Sequence, residues 1–180
     1  GARNGNASTL AILETVSFST PSGFFSGTLT LTVSGQSAGQ KIRYVLAPPS
    51  PAGAEVPEPT AESPEYTGPI ELSSSTLVRA AVFSSADTRR GPAVSAHYVQ
   101  LSGTGSERVD AFSSRLPLIV IDNHGYGAMV KDGIDRPGWI YGFAPSPDGM
   151  ASFSETSDFA FPIEFAVRGR SSSGFPKKSF

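Results

Sequence analysis

The chain has 180 residues, of which 38% are hydrophobic, with 19 glycines, 15 prolines, no cysteine and a formal net charge of −2. This length suits one domain or two small ones, and the apolar content is that of a folded protein with no disulfide bonds. The near-zero charge argues against nucleic acid as a partner, because counterion release needs clustered cations. No run of about 18 apolar residues occurs, so we predict no membrane span.

Glycine, proline, serine and threonine interrupt nearly every stretch that could form a helix, so the sequence predicts an all-β protein. Residues 1–13 are interpreted as a leader. From Thr15, short β-branched and aromatic runs alternate with turn residues, at the spacing of an immunoglobulin- or fibronectin-like β-sandwich. In most of these runs apolar residues recur at every second position, which predicts one buried face per strand. The predicted strands are 15–19, 27–33, 41–46, 66–72, 77–83 and 94–100, and His97 falls in the last of these, which we expect at a sheet edge.

Residues 47–65 form a proline-rich, acidic insertion without periodicity, interpreted as a surface loop. Around it, the successive segments VSFSTPSGFFSGTLTLTVSG, KIRYVL and EYTGPIELSSSTLVRAAVF resemble the small β-sandwich near the C-terminus of chitobiases and β-hexosaminidases, and the related fibronectin-associated repeat. The resemblance covers residues 14–100, and residues 66–70 are its most specific part. The family's usual Thr-Asp-Gly turn is replaced here by residues 46–49 and the insertion. The resemblance implies an accessory module without a catalytic centre, used for spacing, adhesion or support.

Residues 101–112 are small and polar and are interpreted as a linker to a second β-rich module over residues 113–180. The continuous apolar run LPLIVID (116–122) predicts a strand buried on both faces. The alternating run over residues 159–167 predicts a long amphipathic strand, which Pro162 confines to an edge or a bulge. Trp139 and Tyr141 lie two residues apart, and we interpret them as core packing in preference to a sugar-stacking platform.

Three aspartates, Asp122, Asp132 and Asp135, lie with His124 in a glycine-rich stretch and could supply ligands to a hard cation. Their spacing matches no calcium-binding loop that we can justify. Aspartates that cap turns are the preferred interpretation, so no metal is assigned.

The last fourteen residues contain four cations and no acid: Arg168, Arg170, Lys177 and Lys178. A glycine-serine turn between these cations could bind phosphate through backbone N–H groups and the basic side chains. The alternative is a solvated basic hairpin, and physical argument alone does not separate the two.

The segments FSSRLPLIVID and RGRSSSGFPKKSF together resemble the opening of the CotH family of spore-coat kinase-like proteins. The resemblance covers roughly residues 112–180 and implies an atypical kinase fold that uses ATP and Mg²⁺. It implies phosphate or nucleotide binding by Arg168, Ser171, Ser172, Lys177 and Lys178. The family's metal-binding and catalytic acids belong to a larger lobe that follows this segment, so no catalytic residue and no cofactor are assigned to residues 1–180.

We therefore expect the N-terminal portion of a secreted CotH-like protein, with an accessory sandwich and the first strands of a kinase-like lobe, inactive by itself. One alternative is a structural or adhesive surface protein, or a filament subunit, that pairs with a protein partner through its sheet edges. Another is an accessory module that binds polysaccharide. The expected location is extracellular, on or near a bacterial surface.

Overall fold

The computed structural model describes residues 14–51, 54, 56–101 and 112–168. Every regular element in this part of the chain is a β-strand, which confirms the predicted all-β class. The proposed leader, most of the linker and residues 169–180 lie outside the described residues. The strands are β1 (Ser17–Phe18), β2 (Gly23–Phe25), β3 (Leu29–Leu31), β4 (Val33–Ser34), β5 (Lys41–Ala47), β6 (Ile70–Leu72), β7 (Thr76–Phe83), β8 (Val94–Gln100), β9 (Ser113–Ser114), β10 (Leu118–Asp122), β11 (Arg136–Phe143), β12 (Ala151–Ser152) and β13 (Phe159–Phe165).

A four-stranded sheet with the order β2-β8-β7-β5 is the centre of the fold. Strands β5, β7 and β8 are antiparallel neighbours, whereas β2 joins β8 in parallel, with Gly23 opposite Tyr98. Strand β2 is absent from the predicted strands, because three residues between turns show no periodicity. Its presence makes β8 an interior strand, so the expectation that His97 lies in an edge strand is wrong.

One face of this sheet forms the core of a β-sandwich. Two short antiparallel pairs, β1 with β4 and β3 with β6, cover that face. Apolar side chains alternate along the strands and meet in the middle, as the period of two predicts. The buried residues of this first core are Val16, Leu31, Val33, Ile42, Ile70, Leu72, Val78, Ala80, Val82, Ala96 and Tyr98.

The opposite face of the same sheet is also covered, by strands from the second half of the chain. Strands β10, β11 and β13 form an antiparallel sheet in that order, and β9 pairs with β12 beside it. The central sheet is therefore covered on both faces around β7, of which seven of the eight residues are buried. The expected single buried face per strand is wrong for β7. The buried residues of this second core are Val56, Leu77, Trp139, Tyr141, Phe143 and Ala151.

Strand β10 differs from its prediction. Leu118 and Val120 pack against the second core, whereas Ile119 and Ile121 are 58% and 41% exposed. The strand is at an edge with one buried face, so the prediction of burial on both faces is wrong. The apolar run indicates burial on both faces because its outward side chains are as hydrophobic as its inward ones.

Strand β13 is the opposite edge of the same sheet, which agrees with the constraint expected from Pro162. Its Phe159 and Phe161 face outward and are exposed, while the small Ala160 packs inward. The Phe159 ring lies over Gly142, its partner in the register, and a side chain at Gly142 would overlap that ring. Glycine at this strand position therefore leaves room for a neighbouring aromatic ring.

We predict that Leu77→Ala strongly destabilises the protein, because Leu77 is 3% exposed in the second core. A buried leucine truncated to alanine costs about 2–5 kcal/mol in free energy of unfolding. Leu46 on the neighbouring strand β5 is 40% exposed, so Leu46→Ala is the matched control, with an expected loss of about 0.5 kcal/mol. Urea denaturation measures both, and equal losses would contradict burial of this face.

Candidate functional site

A buried polar cluster lies between the four-stranded and the three-stranded sheets. Its members are His97, His124, Tyr141 and Asp122. His97 projects toward this layer because its neighbours in β8, Ala96 and Tyr98, point into the sandwich core. Tyr141 reaches the same place from β11. Both histidine side chains are almost entirely removed from solvent.

His124 occupies the turn that follows β10 and has a positive φ of 53°. The Asp122 carboxylate accepts a hydrogen bond from the His124 backbone N–H at 2.5 Å, an Asx-turn that stabilises this conformation. Gly125 comes next with a φ of 82°, and a Cβ there would approach Pro49 and Ser50 closely. This local geometry turns the imidazole of His124 inward, toward His97.

A continuous chain of hydrogen bonds joins these groups. The Tyr141 hydroxyl lies 2.7 Å from His97 Nδ1, His97 Nε2 lies 2.9 Å from His124 Nδ1, and His124 Nε2 lies 3.0 Å from the Ala47 carbonyl oxygen. A carbonyl can only accept, so His124 Nε2 carries a hydrogen, and in a neutral ring its Nδ1 then accepts one from His97 Nε2. His97 Nδ1 then accepts from Tyr141. This arrangement pairs every ring nitrogen while both imidazoles are neutral.

Burial reinforces this neutral state. Desolvation, helped by the nearby His124, lowers the pKa of His97 to about 3. Burial also lowers the pKa of His124, although the Ala47 carbonyl and the Asp122 charge oppose that shift. Desolvation raises the pKa of the Tyr141 hydroxyl as well. At neutral pH the cluster therefore holds two neutral imidazoles and a protonated phenol.

A cavity of about 400 Å³ opens beside the cluster. Asp122 belongs both to the cluster and to the residues that line this cavity, so the cluster and the cavity adjoin at Asp122. The residues that line the cavity are Ile121, Asp122, Asn123, Gly125, Met129 and Phe165.

The three aspartates considered in the sequence do not come together. Asp132 makes a two-pronged ion pair with Arg136, which lowers the pKa of the carboxyl and engages both of its oxygens. Asp135 is exposed in the same loop. Only Asp122 lies next to His124, and the additional residue beside them is His97, which no sequence pattern connects with them.

The remaining predicted site residues fall into two groups. Trp139 and Tyr141 are 4% and 0% exposed within the second core, which confirms core packing. Arg168 is exposed just beyond β13. The other residues proposed for phosphate binding, Ser171, Ser172, Lys177 and Lys178, lie outside the described residues.

We predict that acid weakens the fold through His97. The unfolded chain binds a proton at this residue near its ordinary pKa of about 6.5, whereas the folded protein does so only near pH 3. The free energy of unfolding is therefore fully present above about pH 6.5 and falls as the pH drops, by at most about 1.4 kcal/mol per unit from this group.

Urea denaturation at a series of pH values between about 7 and 5 measures this loss, because the contribution of carboxylates with lowered pKa values, such as Asp87, is lost mainly below about pH 5. A free energy of unfolding that stays constant across the window would contradict a buried neutral His97.

Comparison with known proteins gives one distant structural match and one family-model match. No curated protein sequence matches the chain. A protein of Corynebacterium diphtheriae described as membrane anchored aligns at 10% identity with a TM-score of 0.33, over 74% of this chain. The chain spans 32% of that structure. No helix in the described part of this protein could cross a membrane. Residues 29–98, which include the central strands of the sandwich, match the family model named Fn3 associated.

Proposed function

We propose that the chain is a structural accessory unit of an extracellular bacterial protein, in which the Fn3-associated sandwich supports a second β-sheet. The observation that carries this proposal is the second core. Leu77 of the sandwich packs there with Trp139 and Tyr141 of the other sheet, and all three are almost completely buried. The face of the sandwich that would meet solvent in an isolated module is instead part of an interface.

The contacts within this interface are aromatic and close. Phe24 of strand β2 meets Tyr141 edge to face with ring centroids 4.9 Å apart, and meets Phe143 in the same manner at 5.5 Å. Phe24 also stacks on Phe153, which follows β12, at 5.6 Å. Aromatic pairs of this geometry each add roughly 0.5–1.5 kcal/mol beyond their buried area. The sandwich thus holds the second sheet by its own side chains, in addition to the covalent connection.

Cutting the connection tests this support directly. A protease site is inserted within residues 102–111, and after cleavage under native conditions we predict that the two fragments stay associated in size-exclusion chromatography. Trp139 is the only tryptophan of the chain and is 4% exposed in the interface, so its fluorescence emission should remain that of a buried indole.

The matched variants are Leu77→Asp and Leu46→Asp, on adjacent strands. Leu77→Asp places a charge in the second core and should release the fragments, whereas Leu46→Asp lies at an exposed position and should not. Fragments of the unsubstituted protein that separate after cleavage would overturn the proposed support.

The finer proposal is that the second sheet begins a CotH-like domain. It is supported by the sequence resemblance, and by the position of β13, which leads directly into Arg168 and the basic segment after it. The segment would hold phosphate oxygens by charge, with Lys177 and Lys178 as the main cations. The chain carries no assigned catalytic acid, so the proposed role is to bind nucleotide phosphates and not to transfer them.

We predict that residues 1–180 bind the phosphate groups of ATP through this basic segment but do not transfer them, because the resemblance places the metal-binding and catalytic acids in the lobe that follows. The double substitution Lys177→Ala and Lys178→Ala should weaken binding at least about tenfold, because two charge-assisted contacts are lost. Isothermal titration calorimetry and radiolabelled ATP measure the two properties, and Lys131→Ala in an exposed loop is the control. Phosphate transfer, or equal affinity in the double variant, would contradict this proposal.

A further inference from the structure

We propose that His97, His124 and Asp122 form a binding site for one divalent first-row transition metal ion, with Zn²⁺ as the representative ion. One ring nitrogen of each histidine and one carboxylate oxygen of Asp122 lie within 4.8 Å of one another. Two imidazoles and a carboxylate are a donor set that proteins use for zinc and for related first-row metals. The inference is independent of the proposed supporting role.

The two imidazoles already have nearly the required separation. His97 Nε2 and His124 Nδ1 are 2.9 Å apart and face each other. Two zinc–nitrogen bonds of about 2.0–2.1 Å at a tetrahedral angle place their nitrogens about 3.4 Å apart. The ion would take the place of this hydrogen bond after the rings move apart by roughly 0.5 Å and each ring turns by roughly 35°, so that both nitrogen lone pairs point at the ion.

The hydrogen on His97 Nε2 can be accommodated elsewhere in the network when the ion binds. When His97 Nε2 becomes a ligand, its hydrogen moves to Nδ1 of the same ring, and that N–H donates to the Tyr141 hydroxyl oxygen. The hydroxyl then turns its own hydrogen to the His97 carbonyl oxygen, which already lies 3.2 Å away. Binding therefore needs a change of tautomer in one ring and the rotation of one hydroxyl, and it releases no net proton.

The nitrogens that do not bind the ion would both be held by hydrogen bonds. His124 Nε2 donates to the Ala47 carbonyl at 3.0 Å, and His97 Nδ1 would be paired with Tyr141 at 2.7 Å. Metal-bound histidines almost always have such a partner for the second nitrogen, which orients the ring. Asp122 supplies the only charged ligand, and through it the site borders the cavity of about 400 Å³, from which water can complete the coordination.

The composition of the chain makes the imidazole signals simple to assign. It contains no cysteine and only two histidines, so the imidazole signals of an untagged protein come from this site alone. The untagged full chain is stripped of metal with a chelator and titrated with Zn²⁺ by calorimetry. Co²⁺ is then used as a spectroscopic probe. We expect one ion per chain, visible Co²⁺ absorption, and shifts of the side-chain ¹⁵N resonances of both histidines in NMR spectra.

Asp122→Asn is the decisive variant, because the asparagine oxygen can still accept the His124 N–H while the charged ligand is lost. We expect its dissociation constant for Zn²⁺ to rise about tenfold or more. Asp158→Asn is the matched control, since the Asp158 carboxylate accepts a similar hydrogen bond from Ala144 N at 2.6 Å outside the cluster. Its affinity should equal that of the unsubstituted chain.

His124→Asn should abolish binding, and asparagine tolerates the positive φ at this position. If that variant does not fold, the Asp122 variant and the NMR spectra still decide the question. Three results would each overturn the proposal: no stoichiometric binding, binding that leaves both imidazole resonances unchanged, or equal affinity in the Asp122→Asn and Asp158→Asn variants.

Discussion

The packing of Trp139, Tyr141 and Phe143 against the outer face of the four-stranded sheet is the interaction on which the rest of the structure depends. These side chains cover Leu77 and the residues around it, so strand β7 is buried on both of its faces. A small sandwich with one core buries a limited fraction of its surface, and a second core on the reverse side of the same sheet increases that fraction. The central sheet, shared by both cores, is the element that joins the two halves of the chain.

The same packing explains why polar groups can exist in the interface. Two imidazoles and a phenol removed from water would be costly if any of their nitrogen or oxygen atoms lacked a partner. Here each ring nitrogen is paired, and the chain of hydrogen bonds runs from β11 through β8 to the end of β5. Hydrophobic contacts are tolerant of small displacements, whereas these bonds require particular distances. The network therefore fixes the position of one sheet relative to the other, which hydrophobic packing alone would define less sharply.

The sequence alone predicts the sandwich well and the site poorly, for identifiable reasons. The period of two in residues 77–83 correctly separates Val78, Ala80 and Val82 from Leu77, Arg79 and Ala81, and six predicted strands overlap observed ones. That same segment is apolar on both sides, the one local signal that a second layer covers it. His97 lies on the covered side by alternation with Ala96 and Tyr98. Its meeting with His124, 27 residues later, depends on how two sheets stack, which no local pattern specifies.

The parallel pairing of β2 with β8 has a mechanical consequence. Strand β2 lies near the start of the described chain and β8 ends the sandwich, and their three paired positions run in the same direction. Tension applied between the beginning and the end of the sandwich pulls parallel neighbours lengthwise past each other. Their hydrogen bonds then bear the load together, instead of opening one after another as in a hairpin pulled from its two ends. The sandwich would resist stretching in this direction through these shared hydrogen bonds.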